Sequence, residues 1–389
     1  MEKLSTLSYW ERSLFPLECD LCIIGGGFTG SWATFHLSKL KPGLKVILLE
    51  SQSNGRGAST RNAGFLCYGS PSEILQDVEK MGEDRAAQLV GQRHRGLQMI
   101  KKFIPAKDVE MKMSDGFEFF PHKLEELRQH TLAKVDDLNN LLSPHLGFTP
   151  FYFQKAPATS SPKNQLHNHR ADRIISIRGE GQVNPAKLLQ YLNLWNRSTG
   201  AELIEGVEVT KLQEGAHSVR VETNLDLNID AKKVLVATNG FYNRLFPNSN
   251  LLKPARNVIA LLQSDRPLGI TGNFHCDRGY IYFRAVENKL LIGGGRNWAG
   301  EGEYTESMKV NKDIEKRLIQ FAEEQIFTHP IHFEKILSWA GIMGVGDEKQ
   351  PVMKWESDRV YSAVRLSGMG VALSPLMGYR AAREIVDKL

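Results

Sequence analysis

Along the chain, short apolar runs alternate with longer stretches in which apolar residues recur at helical spacing. A β-branched run ends at Gly25, a helix is expected over 31–40, and Lys45-Val46-Ile47-Leu48-Leu49 reads as a second buried strand. Ile74, Leu75, Val78 and Met81, followed by Leu89, Val90, Leu97, Ile100 and Ile104, give helical spacing across 72–104, and the pattern returns over 124–142. Strands are expected at 117–120 and 173–177, with a Ser/Pro/Asn-rich surface loop at 156–168 between them. Gly181-Gln-Val-Asn-Pro185 then opens a helix through Trp195, with Pro185 suited to its first turn. Short strands at 202–209 and 219–222 lead into the apolar strand Val234-Leu-Val-Ala-Thr238, which ends at Asn239-Gly240. Further strands are expected at 258–262, 280–284 and 290–293, then a helix at 311–324, and the segment 359–389 reads as strand, glycine turn and helix. No internal repeat or low-complexity tract breaks this order, and the fold class it predicts is α/β.

The first strand-turn-helix carries the clearest chemistry. Gly25-Gly26-Gly27-Phe28-Thr29-Gly30 lies between strand and helix, and Glu50 follows twenty residues later at the end of the second strand. A helix that begins near Phe28 points its unpaired N–H groups and its positive dipole end back at the turn, where a pyrophosphate is stabilised. Gly25 permits the turn, Gly27 permits close approach of the ligand, Gly30 permits helix and strand to pack, and Glu50 can accept hydrogen bonds from a ribose diol. A dinucleotide is therefore expected near the N-terminus. The loop that follows, Gly57-Ala58-Ser59-Thr60-Arg61-Asn62-Ala63-Gly64, is small and polar, as a segment hugging a ligand must be. Arg61 fits a phosphate ligand and a solvated loop residue equally well.

Length and composition narrow the setting. A chain of 389 residues suits two interleaved domains, and 41% hydrophobic with 24% charged residues is ordinary for a soluble protein. No apolar run reaches the length of a membrane span and residues 1–16 show no secretory pattern, so a cytoplasmic location is expected. The net charge of +5 is spread without Lys/Arg blocks, and nucleic acid is not an expected partner. Cys19, Cys22, Cys67 and Cys276 read as buried thiols, since the Cys19-Asp-Leu-Cys22 pair opens a strand and has no second pair to complete a metal site. The histidines likewise lack ligand spacing, and no metal is expected.

Six motifs in one order carry a family resemblance: Gly25 to Gly30 with Glu50, Gly57 to Gly64, Gly181 to Pro185, Ala237 to Gly240, Leu291-Ile-Gly-Gly-Gly295 and Ser367-Gly-Met-Gly370. With them the chain resembles the D-amino-acid-oxidase-like flavoproteins from about residue 8 to its end, most of all the amine oxidases that include γ-glutamylputrescine oxidase. The resemblance implies a Rossmann-like domain binding FAD and a discontinuous substrate domain built on an antiparallel sheet. The corresponding boundaries are 1–70, 180–255 and 338–389 for the first, and 71–179 and 256–337 for the second. It implies that Gly25, Gly27, Phe28, Thr29 and Gly30 face the pyrophosphate, that Glu50 and Ser51 hold the adenosine ribose, and that Ala58, Ser59, Arg61, Asn62, Ala63 and Gly64 run along the phosphates and the flavin edge. Val209, Ala237 and Gly240 match positions around the adenine, while Gly341, Gly368, Met369, Gly370 and Val371 match the turns over the flavin.

The chain also departs from its relatives. Many of them carry His where Met369 stands, and many α-amino-acid oxidases carry Arg after Trp-x-Gly-Leu, where this sequence reads Trp339-Ala-Gly341-Ile342-Met343. No cysteine stands near Met343 to link the flavin, so non-covalent FAD is expected. Tyr282, Arg284, Trp339 and Arg365 are the candidates for the substrate pocket, although residues like Tyr282 and Trp339 are more often sheet and core residues; no catalytic residue is assigned. The expected reaction oxidises a small-molecule amine to an imine, with oxygen or a quinone as acceptor. The alternatives are an α-amino-acid oxidase, a quinone-linked dehydrogenase and a non-catalytic flavoprotein subunit. An NAD enzyme would need neither the 57–64 loop nor the C-terminal turn.

Overall fold

In the computed structural model the described residues are 8, 10, 13, 16–53, 57–153, 174–225, 227–327 and 331–389. The expected loop at 156–168 lies outside them. Two sheets organise the rest. The first is built on five parallel strands in the order β17 (Val360–Val364), β10 (Asn228–Val236), β1 (Glu18–Ile24), β2 (Val46–Glu50) and β7 (Glu202–Glu205). Antiparallel β16 (Val352–Trp355) extends one edge, and a hairpin of β8 (Val209–Glu214) and β9 (Val219–Thr223) pairs onto β10. Burial on both faces explains why β1 and β2 are nearly continuous apolar runs instead of alternating ones.

The second sheet runs β15 (Phe333–Val345), β11 (Lys253–Ser264), β14 (Lys289–Gly294), β13 (Ile281–Val286), β12 (Asn273–Cys276), β4 (Lys112–Phe119), β6 (Ile174–Gln182) and β3 (Phe65–Leu66). Short β5 (Phe151–Tyr152) pairs with β6, and every pairing is antiparallel except that of β12 with β4. The α/β class and the antiparallel second sheet agree with expectation. Strands β11 and β15 run straight through residues 255/256 and 337/338, so the second sheet takes in residues on both sides of the expected domain boundaries. An apolar pattern marks a strand, but it does not say which sheet the strand will join.

Helix α1 (Phe28–Leu40) is buried from Phe28 to Leu37, between the first sheet and α7 (Gly370–Val386). Its crossing with α7 is tight, for a Cβ on Gly378 would lie 2.7 Å from the Ala33 nitrogen. The helical stretch expected at 72–104 is two helices, α2 (Pro71–Met81) and α3 (Glu83–Phe103), parted at Gly82 with φ 84°. These pack with α4 (Glu125–Leu146) and α5 (Pro185–Ser198) into an apolar core beside β6. Asn184 caps α5, its Oδ1 accepting from the Ala186 and Lys187 amides. The expected strand 202–209 is interrupted, forming β7 and β8. Helix α6 (Lys312–Phe321), capped by Asn311, covers the second sheet and continues as a π-helical turn over Ala322–Ile326.

Candidate active site

A cavity of about 550 Å³ opens where the C-terminal ends of β1, β2 and β10 face the second sheet. That is the crevice where a parallel sheet with helices on its faces holds ligands. The N-terminus of α1 points at it without a side-chain cap, although the Phe28 amide donates to Ser59 Oγ at 2.8 Å. Two glycines make this geometry possible. Gly25 has φ 109°, and a Cβ on Gly30 would stand 2.1 Å from the Gly25 carbonyl oxygen. Glu50 reaches back across the turn: Oε2 accepts from the Gly26 amide at 2.9 Å and Oε1 from the Gln52 amide at 3.0 Å. Burial pushes its carboxyl above the usual range, partly offset by those donors.

Gly25, Gly27, Phe28, Thr29, Glu50, Ser51, Ala58, Ser59, Arg61, Asn62, Ala63, Val209, Ala237, Gly341, Gly368, Met369, Gly370 and Val371 all line this cavity. Gly30, Gly64 and Gly240 stand behind the wall, crowded by the Gly25 carbonyl, the Val183 carbonyl and Met343 respectively. The loop over 57–64 is braced from within: Asn62 Nδ2 donates to the Ser59 carbonyl at 2.8 Å, its Oδ1 accepts from Gly64, and Arg61 donates to the Ala340 carbonyl at 3.0 Å. At the other end, Asn239 Oδ1 accepts from the amides of Arg365 and Leu366 at 3.1 and 3.2 Å, holding the turn that precedes α7. Arg365, Ser367 and Gly368 all have positive φ there, and the first turn of α7 borders the cavity.

The four substrate candidates separate. Tyr282 lines the cavity beside Phe65, and its hydroxyl accepts from Asn257 Nδ2 at 2.6 Å. Trp339 does not line it; the indole N–H donates to the Arg61 carbonyl at 3.2 Å and supports the loop. Arg284 donates to the Ala63 carbonyl at 2.7 Å and to Gln182, outside the cavity wall. Arg365 donates to the carbonyls of Gln350 and Leu251 at 2.8 and 3.1 Å and is likewise outside. Both arginines thus hold backbone carbonyls.

Several lining residues escaped the sequence reading because long-range pairing brings them in. Cys67, Glu73, His275 and Lys349 meet on one wall. Lys349 lies 2.9 Å from Glu73 and 3.0 Å from Asp77, and the fully buried Arg93 lies 3.4 and 3.6 Å from the same two carboxylates. Burial would raise the Glu73 carboxyl, but Lys349 and Arg93 outweigh it and hold it well below its usual range. Burial would lower the His275 imidazole, but Glu180, 3.1 Å from its Nε2, outweighs this and raises it above its ordinary range. Cys67, Glu180 and His275 place ligand-type atoms within 4.8 Å of one another, a cluster no short spacing announced. Burial holds the Cys67 thiol well up, so it stays protonated.

Residues 20–384 match the pattern of the DAO family, described as FAD dependent oxidoreductase. The chain belongs to this family. It is similar to a probable oxidoreductase OrdL of Rhizobium meliloti, 25% identical over 393 residues and covering 97% of this chain and 86% of the relative. It is 34% identical over 290 residues to the γ-glutamylputrescine oxidoreductase of Escherichia coli, covering 72% and 65%. Its fold matches that of glycine oxidase from Geobacillus kaustophilus with a TM-score of 0.74, at 20% identity and 96% and 95% coverage. The chain is thus an FAD-dependent oxidoreductase of the amine and amino-acid oxidase type. No helix among the described residues is long and apolar enough to cross a membrane.

The residues present suit FAD. The uncapped α1 N-terminus with Ser59 and the 57–64 loop would hold the pyrophosphate, Glu50 the adenosine ribose, and the α7 N-terminus the electron-rich edge of the flavin. Arg244 reaches from the first sheet's side to Glu208 and Glu306, 2.8 Å from each, beside the adenosine end.

Two predictions follow from this geometry. A lost charge-assisted hydrogen bond costs about 1.5–3 kcal/mol, so Glu50→Ala is expected to weaken FAD binding roughly ten- to a hundred-fold. Glu50→Gln, which keeps an acceptor for the Gly26 amide, should lie between; flavin titration of the apoprotein measures both, and unchanged affinity in the Ala variant refutes the role. The second concerns Glu118, which accepts from the Ser72 amide and from the Ser70 and Ser72 hydroxyls. Burial pushes it up to about 7, against the lowering effect of those donors. A folded pKa above the unfolded one gives stability that is present at acid pH and lost as pH rises from about 4.5 to 7. The wild type should therefore lose on the order of 3 kcal/mol relative to Glu118→Gln across that window. Urea midpoints at pH 5 and 8 test it, and a constant difference between the two proteins would count against it.

Proposed function

We propose that this protein oxidises the C–N bond of a small amine, releasing an imine that water hydrolyses, with non-covalent FAD and with oxygen or a quinone as the final acceptor. The observation that carries the reading is the wall at Gly341-Ile342-Met343, where the cavity presents apolar side chains in the place of a carboxylate-binding arginine. An α-carboxylate brought there would be a buried charge without a partner, which costs several kcal/mol. Arg284 and Arg365, tied to backbone carbonyls, offer no substitute.

FAD, when bound, supplies the two-electron acceptor for the substrate C–H bond. The protein's own part is positioning and exclusion of water. Tyr282 lies with Phe65, Ala63 and Leu291 in an apolar layer. Burial pushes its hydroxyl well up, so it keeps its proton and can donate to a substrate nitrogen while accepting from Asn257. The amine must arrive as the free base, because an ammonium nitrogen has no lone pair to accept that bond.

An anaerobic screen that follows flavin bleaching tests the reading. Primary or secondary amines without an α-carboxylate should reduce the flavin faster than glycine, sarcosine or D-amino acids, and the reverse order overturns the amine assignment. Non-covalent binding is supported by the cavity's Cys67, a protonated thiol, and by Met343 at the position matching a flavin-linked cysteine. Acid precipitation is expected to leave the yellow colour in the supernatant; colour in the pellet would mean a covalent link.

A further inference from the structure

Three residues of metal-ligating type meet on one wall of the cavity, although the sequence keeps them far apart. Strand β3 pairs with β6 as far as Leu66 opposite Gly181, which sets Cys67 beside Glu180. Strand β4 lies between β6 and β12 and brings His275 of β12 to the same place. One sulfur, one carboxylate oxygen and one imidazole nitrogen thus lie within 4.8 Å of one another, and all three side chains are buried. In a tetrahedral zinc site, with Zn–S near 2.3 Å and Zn–N and Zn–O near 2.0–2.2 Å, ligand atoms stand about 3.3–3.6 Å apart. His275 Nε2 and Glu180 Oε2 are already at 3.1 Å, and any gap left for the sulfur is about 1 Å at most.

The wall is built around the carboxylate. A Cβ on Gly116 of β4 would lie 2.0 Å from Glu180 Oε2, so only glycine leaves the room that this oxygen occupies. The second oxygen, Oε1, is buried without a hydrogen-bond partner, on a side chain with no exposed surface. A buried acceptor left in that state is costly, and a cation would satisfy it. The nearby cations do not serve, because Arg93 and Lys349 are held between Glu73 and Asp77. Cys67 and His275 line the cavity, so an ion has a path of entry. Three protein ligands leave a fourth position facing that cavity, as in zinc sites that keep a place for water or an incoming ligand. The mixed sulfur, nitrogen and oxygen set suits Zn2+ and not the oxygen-seeking Mg2+ or Ca2+.

We propose that Cys67, Glu180 and His275 bind Zn2+, with the fourth coordination position open to the cavity. Ligation requires a thiolate and an Nε2 free of hydrogen, so the ion takes the place of protons and its affinity should rise with pH. Equilibrium dialysis of the holoenzyme against ZnCl2, followed by metal analysis, should give one tightly held zinc per chain. Cys67→Ser and His275→Gln should each weaken it at least about tenfold. Cobalt reads the ligands in the unaltered protein, whether or not the variants fold. Co2+ should develop the intense d–d bands of a four-coordinate thiolate site, to the red of the oxidised flavin, and imidazole should shift them by filling the open position. Absence of tight zinc, zinc held equally by both variants, or a cobalt spectrum that is six-coordinate or insensitive to imidazole overturns the site. None of these readouts involves turnover, so the site can fail while the amine reading stands.

Discussion

The closeness of α1 to β1 governs much of the rest of the molecule. With a Cβ at Gly30 excluded by the Gly25 carbonyl, the helix starts directly over the strand end, and its first amides reach the cavity. Any larger residue would lift the helix, tilt its dipole and open the crossing with α7, which itself needs Gly378 against Trp32 and Ala33. The second helix N-terminus of the site, that of α7, therefore depends on the first through direct packing. One small-residue contact thus sets two positive helix ends at the cavity.

Charge inside the cavity is arranged by depth. The buried wall is internally balanced: Arg93 and Lys349 sit between Glu73 and Asp77, and His275 faces Glu180. Buried ions are tolerated only when so paired, because an uncompensated one is strongly destabilising. At the rim, where water screens, Arg278 lies 3.8 Å from Asp277 and Arg296 lies over the Tyr280 ring. Arg284 and Arg365 show the opposite use of the same residue type, their guanidinium groups holding carbonyls that would otherwise be left without a donor in the loop and turn around the cavity. The same residue type thus serves as a structural clamp at Arg284 and Arg365 and lines the cavity at Arg278 and Arg296.

The cofactor half of the site was legible in the chain because its chemistry is local. Gly25 to Gly30 and Glu50 span one strand-turn-helix-strand unit, whose spacing follows from covalent geometry and helix pitch, and Gly368 to Val371 open a helix by the same logic. The strands and helices were legible for a similar reason, since periodicity is a property of neighbours in sequence. What only the tertiary structure decided is whatever depends on strand pairing across hundreds of residues. Register places Tyr282 opposite His275 and Gly293, brings Lys349 to Glu73, and takes Trp339 and Arg284 out of the cavity to brace the 57–64 loop. A one-residue slip in β13 would exchange the faces of Tyr282 and its neighbours, and nothing in a single strand's composition forbids that. Side chains that meet through the sheet, the substrate wall above all, are therefore settled by packing alone.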